Sequence, residues 1–346
     1  MNPLLQAYDD AANRAATLRR PLLLSHTKPD GDAFGSLVAA RELLRTRGAD
    51  PLAVSFDPLP RTYSVFARFE PVHVLGRDVP LADLDRCDGV ILLDTGAWNQ
   101  LLPLEAWLRA SSLPRIIVDH HVTRDIPADA IILDESAAAT CLILYHWADH
   151  QGWTLSPDAA AAIFIGIATD TGWFTHSNTT PDALAAAARI AALGVAPNEM
   201  YQRLYQTDDA ARLRLRAAAL STIEFAAQDR LAILSVDQAT LARVGATLAD
   251  TENLINDPLS VRSVVVSVLL AEQKSGPVRV SFRSKAPLSG LCDLDMDVAA
   301  AAAGFGGGGH RRAAGARVEG PLPEVKRLVV SRLTRLIEDA DAARRT

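Results

Sequence analysis

The chain has 346 residues, above the usual single-domain size, so two domains are the default expectation. Apolar residues at 49% and charged residues at 22% are ordinary for a soluble globular protein with an ample core. The formal net charge of −6 speaks against a general coat for long duplex DNA, which needs a broad basic face. It leaves room for a phosphorylated substrate, because bound divalent cations reverse the sign locally.

The N-terminal stretch MNPLLQAYDDAANRAATLRR places Asp9 and Asp10 where a secretory signal needs its apolar centre, and reads as an amphipathic helix. No stretch reaches the ~18 uninterrupted apolar residues of a membrane span, so no membrane partner is expected. Cys87, Cys141 and Cys292 lie far apart and form no CxxC pair, a usage suited to a reducing compartment. The expected location is cytoplasmic.

Strand, loop and helix then alternate. Residues 22–25 are a short apolar run ending in a polar cluster, and residues 33–47 have helical periodicity stopped by Gly48. Strands are expected at 52–56, 72–75, 90–93 and 116–118, each apolar and β-branched enough for a buried parallel sheet. Helices are expected at 140–151 and 157–168. This pattern predicts an α/β, doubly wound, mainly parallel domain over residues 1–180, with ligands beyond the carboxyl ends of its strands. Residues 181–227 are rich in Ala, Leu and Arg and read as helices joining two domains. A smaller α/β C-terminal domain over 228–346 carries strands near 230–236, 264–270 and 278–283, a glycine-rich loop, and a final helix over 322–342.

Five constellations carry chemistry. In HTKPDGDAFGS, the first strand delivers His26 to the sheet edge, and Pro29 and Gly31 favour a turn. Asp30 and Asp32, two apart, can each face one of two neighbouring cations, and imidazole with carboxylates suits Mn²⁺ or a similar borderline metal. The competing reading makes both acids turn formers and caps. Asp94, in VILLDTG, directly follows an apolar strand and is costly to bury unless paired or metal-bound, although a turn-and-cap role fits an isolated LLDTG better. Asp119, His120 and His121, in IIVDHHVT, stand at another strand end. One histidine there can bind metal and the other substrate, with Asp119 orienting an imidazole. Asp170, in IGIATDTGWF, ends an apolar helix, where the helix dipole disfavours an acid unless a cation is near. Two metals held ~3.5–4 Å apart can polarise a phosphoryl group and generate hydroxide at neutral pH, and Asp94 is the candidate bridge between them.

The fifth constellation is VRVSFRSK with GFGGGGHRRAAG. Four consecutive glycines let backbone N–H groups approach an anion, and His310, Arg311 and Arg312 add charge after them. Arg279 and Arg283 share one strand face, with solvated arginines as the alternative. His146 and His150 read as a surface pair. His176 is close enough to Asp170 to support it, and His73 has no supporting context. Phe305 is either a stacking residue or an anchor for the glycine loop.

Together, and in this order, these motifs resemble the DHH phosphoesterase superfamily with its DHH-associated C-terminal domain, over nearly the whole chain. The two-domain length is similar to the nanoRNase/pAp-phosphatase branch. The resemblance implies two Mn²⁺, with Mg²⁺ or Co²⁺ as alternatives. His26, Asp30 and Asp94 would hold one; Asp32, Asp94, His120 and Asp170 would hold the other. It further implies that His121 contacts the scissile phosphate, with Asp119 supporting the histidine pair. Arg283, Ser284, Gly307, Gly308, Gly309 and His310 would bind the substrate's terminal phosphate or nucleotide from across an interdomain cleft. The implied activity is phosphodiester hydrolysis of very short oligonucleotides, such as pApA or pGpG, to nucleoside monophosphates, with pAp dephosphorylation alongside. The alternatives are a small-substrate phosphatase or pyrophosphatase, and a non-catalytic nucleotide sensor. A homodimer is compatible with either.

Overall fold

The structure is a computed structural model and describes residues 2–288 and 292–345. The chain divides into two units, Met1–Thr207 and Asp208–Thr346. In the first, the elements are α1 (Pro3–Ala15), β1 (Pro21–Leu24), α2 (Gly31–Arg45), β2 (Leu52–Ser55), β3 (His73–Val74), β4 (Gly89–Leu93), α3 (Glu105–Ala110), β5 (Arg115–Asp119), β6 (Ala130–Leu133), α4 (Thr140–His150), α5 (Pro157–Asp170), α6 (Pro181–Ala192) and α7 (Pro197–Tyr205). All six strands are parallel, in the order β3-β2-β1-β4-β5-β6. The order reverses between β1 and β4, which opens a crevice beyond their carboxyl ends.

The doubly wound expectation follows from burial on both faces. Leu23, Ile91 and Leu93 pack into one core layer, while Leu22, Leu24, Val90 and Leu92 pack into the other. Leucines and isoleucines on successive positions are therefore all buried, as a covered parallel sheet requires. β6 had no expectation from sequence, and the strand expected at 72–75 is only two residues long.

α2 is buried along almost its whole length and crosses α5 at unusually small residues. A Cβ on Gly35 would sit 2.8 Å from Ala162 O and 3.3 Å from Gly166 Cα. One on Gly166 would sit 2.2 Å from Cys141 Sγ and 2.8 Å from Asp32 Oδ1. These glycines let α2, α4 and α5 meet closer than side chains allow, and so bring the acids of α2 toward the end of α5.

The second unit contains α8 (Ala210–Leu220), β7 (Glu224–Ala226), β8 (Leu231–Val236), α9 (Gln238–Val244), β9 (Val266–Ala271), β10 (Val278–Ser284), α10 (Val298–Ala303), β11 (Gly308–His310), β12 (Ala313–Val318) and α11 (Leu322–Arg345). Its sheet runs β11-β12-β10-β9-β8-β7; β8 and β9 are parallel and the other pairs antiparallel. The helical stretch expected as a linker at 181–227 divides between the units, α6 and α7 in the first and α8 in the second. Among the described residues, no helix is long and apolar enough to cross a membrane.

Candidate metal centre

Three neighbouring strands end in the crevice and set the site. His26 lies two residues past β1, Asp94 one past β4 and His120 one past β5. β4 lies between β1 and β5 in the sheet, so Asp94 falls between the two imidazoles. Asp94 takes φ 61°, a left-handed conformation that Asp tolerates better than most side chains, and is 2% exposed. Its N–H donates to Val118 O at 3.0 Å, which ties the turn to β5.

Each oxygen of the Asp94 carboxylate meets an imidazole, and Oδ1 also lies 3.7 Å from His121 Nδ1. His26 Nε2 lies 3.3 Å from Oδ2 and His120 Nε2 lies 3.5 Å from Oδ1. Each ring is pinned from behind: His26 Nδ1 donates to Thr27 O at 2.9 Å and His120 Nδ1 to Ala137 O at 3.1 Å. A carbonyl can only accept, so each Nδ1 carries the proton and each Nε2 is left to face a cation, the usual arrangement for a metal-ligating histidine. Two triads able to hold an ion share Asp94: His26, Asp30 and Asp94, and Asp94, His120 and His121.

Asp30 both caps and contributes. Its Oδ1 accepts from the N–H of Asp32 and of Ala33, both at 3.0 Å, so the capping alternative describes one oxygen and leaves the other to the triad. Asp32 stands in the first turn of α2, 1% exposed, and accepts from the N–H groups of Thr140 at 2.6 Å and Cys141 at 2.9 Å. Each of its oxygens thus spends one lone pair on α4 and keeps another. Asp170 is the last residue of α5, and its Oδ2 accepts from Asn178 Nδ2 at 3.3 Å. Asp32 and Asp170 lie outside the two triads but interact electrostatically with Asp94, Asp30 and His120.

The positive charge in this cluster rests on its imidazoles. Among the described residues, no Lys or Arg pairs with Asp30, Asp32, Asp94 or Asp170. Burial and the charge of Asp94 push Asp32 well above the carboxylate range and raise Asp30 too. Burial, with Asp30 and Asp94, pushes Asp170 up to about 6 against the pull of His120. Burial opposes charge on the histidines, but hydrogen bonding to Asp94 outweighs it and holds His26 up to about 9 and His120 to about 10. Burial also works against Asp94, yet its two imidazoles hold it below the usual range. Four acids and two oriented imidazoles short of countercharge fit divalent cations with mixed nitrogen and oxygen ligands.

His121 differs from the other two imidazoles in its partner and exposure. Its Nδ1 donates to Asp119 Oδ1 at 2.8 Å, its N–H donates to the same oxygen at 3.1 Å, and its side chain is 45% exposed. That bond to Asp119, above all, raises its pKa and favours the imidazolium. Asp119 is the last residue of β5 rather than beyond the strand, and is 1% exposed.

In the second unit the glycine run is not a free loop. Gly308, Gly309 and His310 form the edge strand β11, paired with Gly315, Ala314 and Ala313. A Cβ on Gly307 would lie 2.1 Å from Gly315 O, and one on Gly309 2.6 Å from Ala313 O. These glycines therefore serve close approach to β12. Arg311 and Arg312 are neutralised by Asp295, and Arg311 also by Asp297, so the extra charge expected there is already paired. Ser284, expected at the substrate, lies on the covered face of β10 and donates to Met296 O at 2.9 Å. Arg283 lies on the opposite face, half-buried, with no acid partner among the described residues, and burial lowers its pKa. The register places Arg283 and His310 opposite the same Ala313, hence on one face about 10 Å apart, two strand spacings. Phe305 stacks on Phe282 at 6.1 Å and anchors the glycine segment.

A family model described as the DHH family, N-terminal domain, matches residues 22–167, and the DHHA1 domain matches 230–341. A bifunctional oligoribonuclease and PAP phosphatase NrnA of Thermus thermophilus is 31% identical over 77% of this chain and 76% of its own length. The chain belongs to the DHH family. A Bacillus subtilis protein of the same name is 26% identical over 77% of this chain and 82% of its own. A solved exopolyphosphatase-related protein of Bacteroides fragilis shares the fold, with a TM-score of 0.80 and 23% identity, covering 96% of this chain and 98% of that one.

Residues outside the DHH motifs stand behind the acids and imidazoles of the crevice. Thr140 donates through Oγ1 to Asp94 Oδ1 at 3.0 Å, and Asn178 Nδ2 reaches Ala138 O, Asp170 O and Asp170 Oδ2. His176 Nδ1 donates to Asp170 O at 3.3 Å, as expected of a supporting residue. Phe34 packs on Phe66 in the core, and Trp173 packs on Phe164, Tyr201 and Tyr205. His146 and His150 each pair with a separate acid, Asp182 and Asp9.

Proposed function

We propose that this DHH protein is a binuclear-metal phosphoesterase that hydrolyses very short oligonucleotides to nucleoside monophosphates and also dephosphorylates pAp. The observation that carries the reading is Asp94, buried between two imidazoles that are each tied back through Nδ1. The names of the two NrnA relatives supply the substrate class. His26, Asp30 and Asp94 would hold one Mn²⁺, and Asp32, Asp94, His120 and Asp170 the other. Two such ions supply Lewis acidity and hydroxide at neutral pH.

The chain's own residues do the rest. His121, favoured as imidazolium by Asp119, would bind the scissile phosphate and give its proton to the leaving oxygen. Asp119 keeps the proton on Nδ1, which leaves the Nε2 proton for the substrate. Arg283, desolvated and without an acid partner among the described residues, suits a terminal phosphate, with His310 on the same face for the adjoining nucleotide. Purified protein incubated with Mn²⁺ and pApA, pGpG, a trinucleotide, pAp and pyrophosphate, with a chelator control, tests this by product chromatography. Monophosphate release that the chelator and Asp94→Ala both abolish is expected. Undiminished turnover by Asp94→Ala would sink the binuclear assignment, and cleavage of pyrophosphate alone would sink the substrate class.

A further inference from the structure

Four residues between Ala137 and Cys141, around the start of α4, meet acids and imidazoles of the centre, three directly and Ala138 through Asn178. Ala137 O accepts from His120 Nδ1, and Ala138 O accepts from Asn178, which in turn donates to Asp170. The N–H groups of Thr140 and Cys141 hold Asp32, one on each oxygen. The Thr140 hydroxyl donates to Asp94 Oδ1 at 3.0 Å. Thr140 is 0% exposed, so neither of its bonds is shared with water.

The two oxygens of Asp94 are thereby unequal. Oδ2 faces His26 and has no hydrogen-bond donor behind it among the described residues, while Oδ1 faces His120 and carries the Thr140 hydroxyl. The same residue fixes Asp32 through its backbone at 2.6 Å. A hydroxyl proton on one lone pair of Oδ1 leaves the other lone pair as the remaining direction from which that oxygen can bind. Aligning a carboxylate in this way raises affinity without adding a ligand.

We infer that Thr140 is a positioning residue that orients the bridging carboxylate toward the ion on the His120 side. The inference rests on the metal-dependent reading above. The hydroxyl has no role in proton transfer, since it is enclosed behind the acid it serves. Its effect would fall on one ion rather than both, because the Asp94 oxygen facing His26 is Oδ2 and the Thr140 hydroxyl donates to Oδ1. Thr140→Val keeps the shape and the N–H to Asp32 and removes only the hydroxyl. Thr140→Ser keeps both donors and removes only a methyl group.

Mn²⁺ titration of metal-stripped full-length protein, followed by electron paramagnetic resonance and calorimetry, tests the inference without recourse to turnover. Wild type should take up two ions. In Thr140→Val one of them should weaken by about 10- to 100-fold while the other holds within about twofold, and Thr140→Ser should recover most of the loss. Should Thr140→Val not fold, Thr140→Ala takes its place in the same comparison. With a dinucleotide, kcat at fixed Mn²⁺ should fall while KM stays within about threefold, and added Mn²⁺ should restore kcat. Equal weakening of both ions would show a packing lesion and overturn the positioning role. So would a loss in Thr140→Ser as large as in Thr140→Val, or unchanged binding in Thr140→Val. A wild-type protein that binds no Mn²⁺ would overturn the metal reading itself, and Thr140's role with it.

Discussion

Gly166→Ala is the sharpest test of whether helix packing sets the metal centre. Gly166 lies within α5, and a Cβ there would stand 2.2 Å from Cys141 Sγ and 2.8 Å from both Cys141 Cβ and Asp32 Oδ1, against 3.4–4 Å for ordinary contact. Relief needs α5 to retreat from α2 and α4 by about 1 Å, which for an overpacked core costs about 1–3 kcal/mol. Alanine returns about 1 kcal/mol of helix propensity, so the net loss is about 0–2 kcal/mol and Tm falls by no more than about 8 °C. Function should suffer more. Asp32 Oδ1 is itself one of the crowded atoms, and about 1 Å of displacement costs on the order of 10²-fold in rate when it misplaces reacting groups. The assay is kcat/KM on a dinucleotide beside Mn²⁺ affinity and Tm. Adding Cys141→Ala removes the nearest clashing atom and should recover part of both losses. A Gly166→Ala protein with wild-type Mn²⁺ affinity and kcat/KM would refute the idea that this close crossing holds Asp32 in place.

Other outcomes follow from the same geometry. Arg283→Ala should raise KM for a dinucleotide by about 10- to 100-fold, the worth of a charge-assisted hydrogen bond, with kcat near wild type; unchanged KM would remove Arg283 from the substrate site. His121→Gln should lower kcat by about 10²-fold or more while Mn²⁺ affinity stays within about threefold, and loss of an ion would instead make His121 a ligand. The metal-free protein should lose thermal stability as pH rises. Asp170, raised to about 6, binds a proton in the folded state that the unfolded chain releases near 4, so it destabilises through that window. His26 and His120, held up to about 9 and 10, contribute stability below about 6.5 that is lost as pH rises through those values. Mn²⁺ replaces those protons, so its stabilising shift should grow from pH 5 to pH 9; a shift that shrinks over that range would contradict the charge deficit.

Which parts of this architecture were legible depends on where the information sits. His26, Asp94 and the DHH triplet follow apolar runs that can only be buried strands, so their meeting at one sheet edge could be read from the sequence. β6 could not, since Ala130–Leu133 is an apolar run of only four residues, too short for periodicity to separate strand from helix. β11 was misread as a loop because Gly308 and Gly309 have no side chain to alternate. Arg311 and Arg312 look like free charge until the fold brings Asp295 to them. The frame behind the metal centre was hidden for a deeper reason. The groups that fix the ligands are largely backbone: Thr27 O and Ala137 O for the histidines, the N–H groups of Thr140 and Cys141 for Asp32, and Val118 O for the turn at Asp94. Every residue but proline carries the same carbonyl and amide, so nothing in the letters AAATC distinguishes them from any other helix start. Motifs identify what binds the ions, because binding needs imidazole and carboxylate. What aims those groups is a matter of where the chain passes, and Thr140 stands out only because it contributes a side chain and a backbone donor to two acids at once.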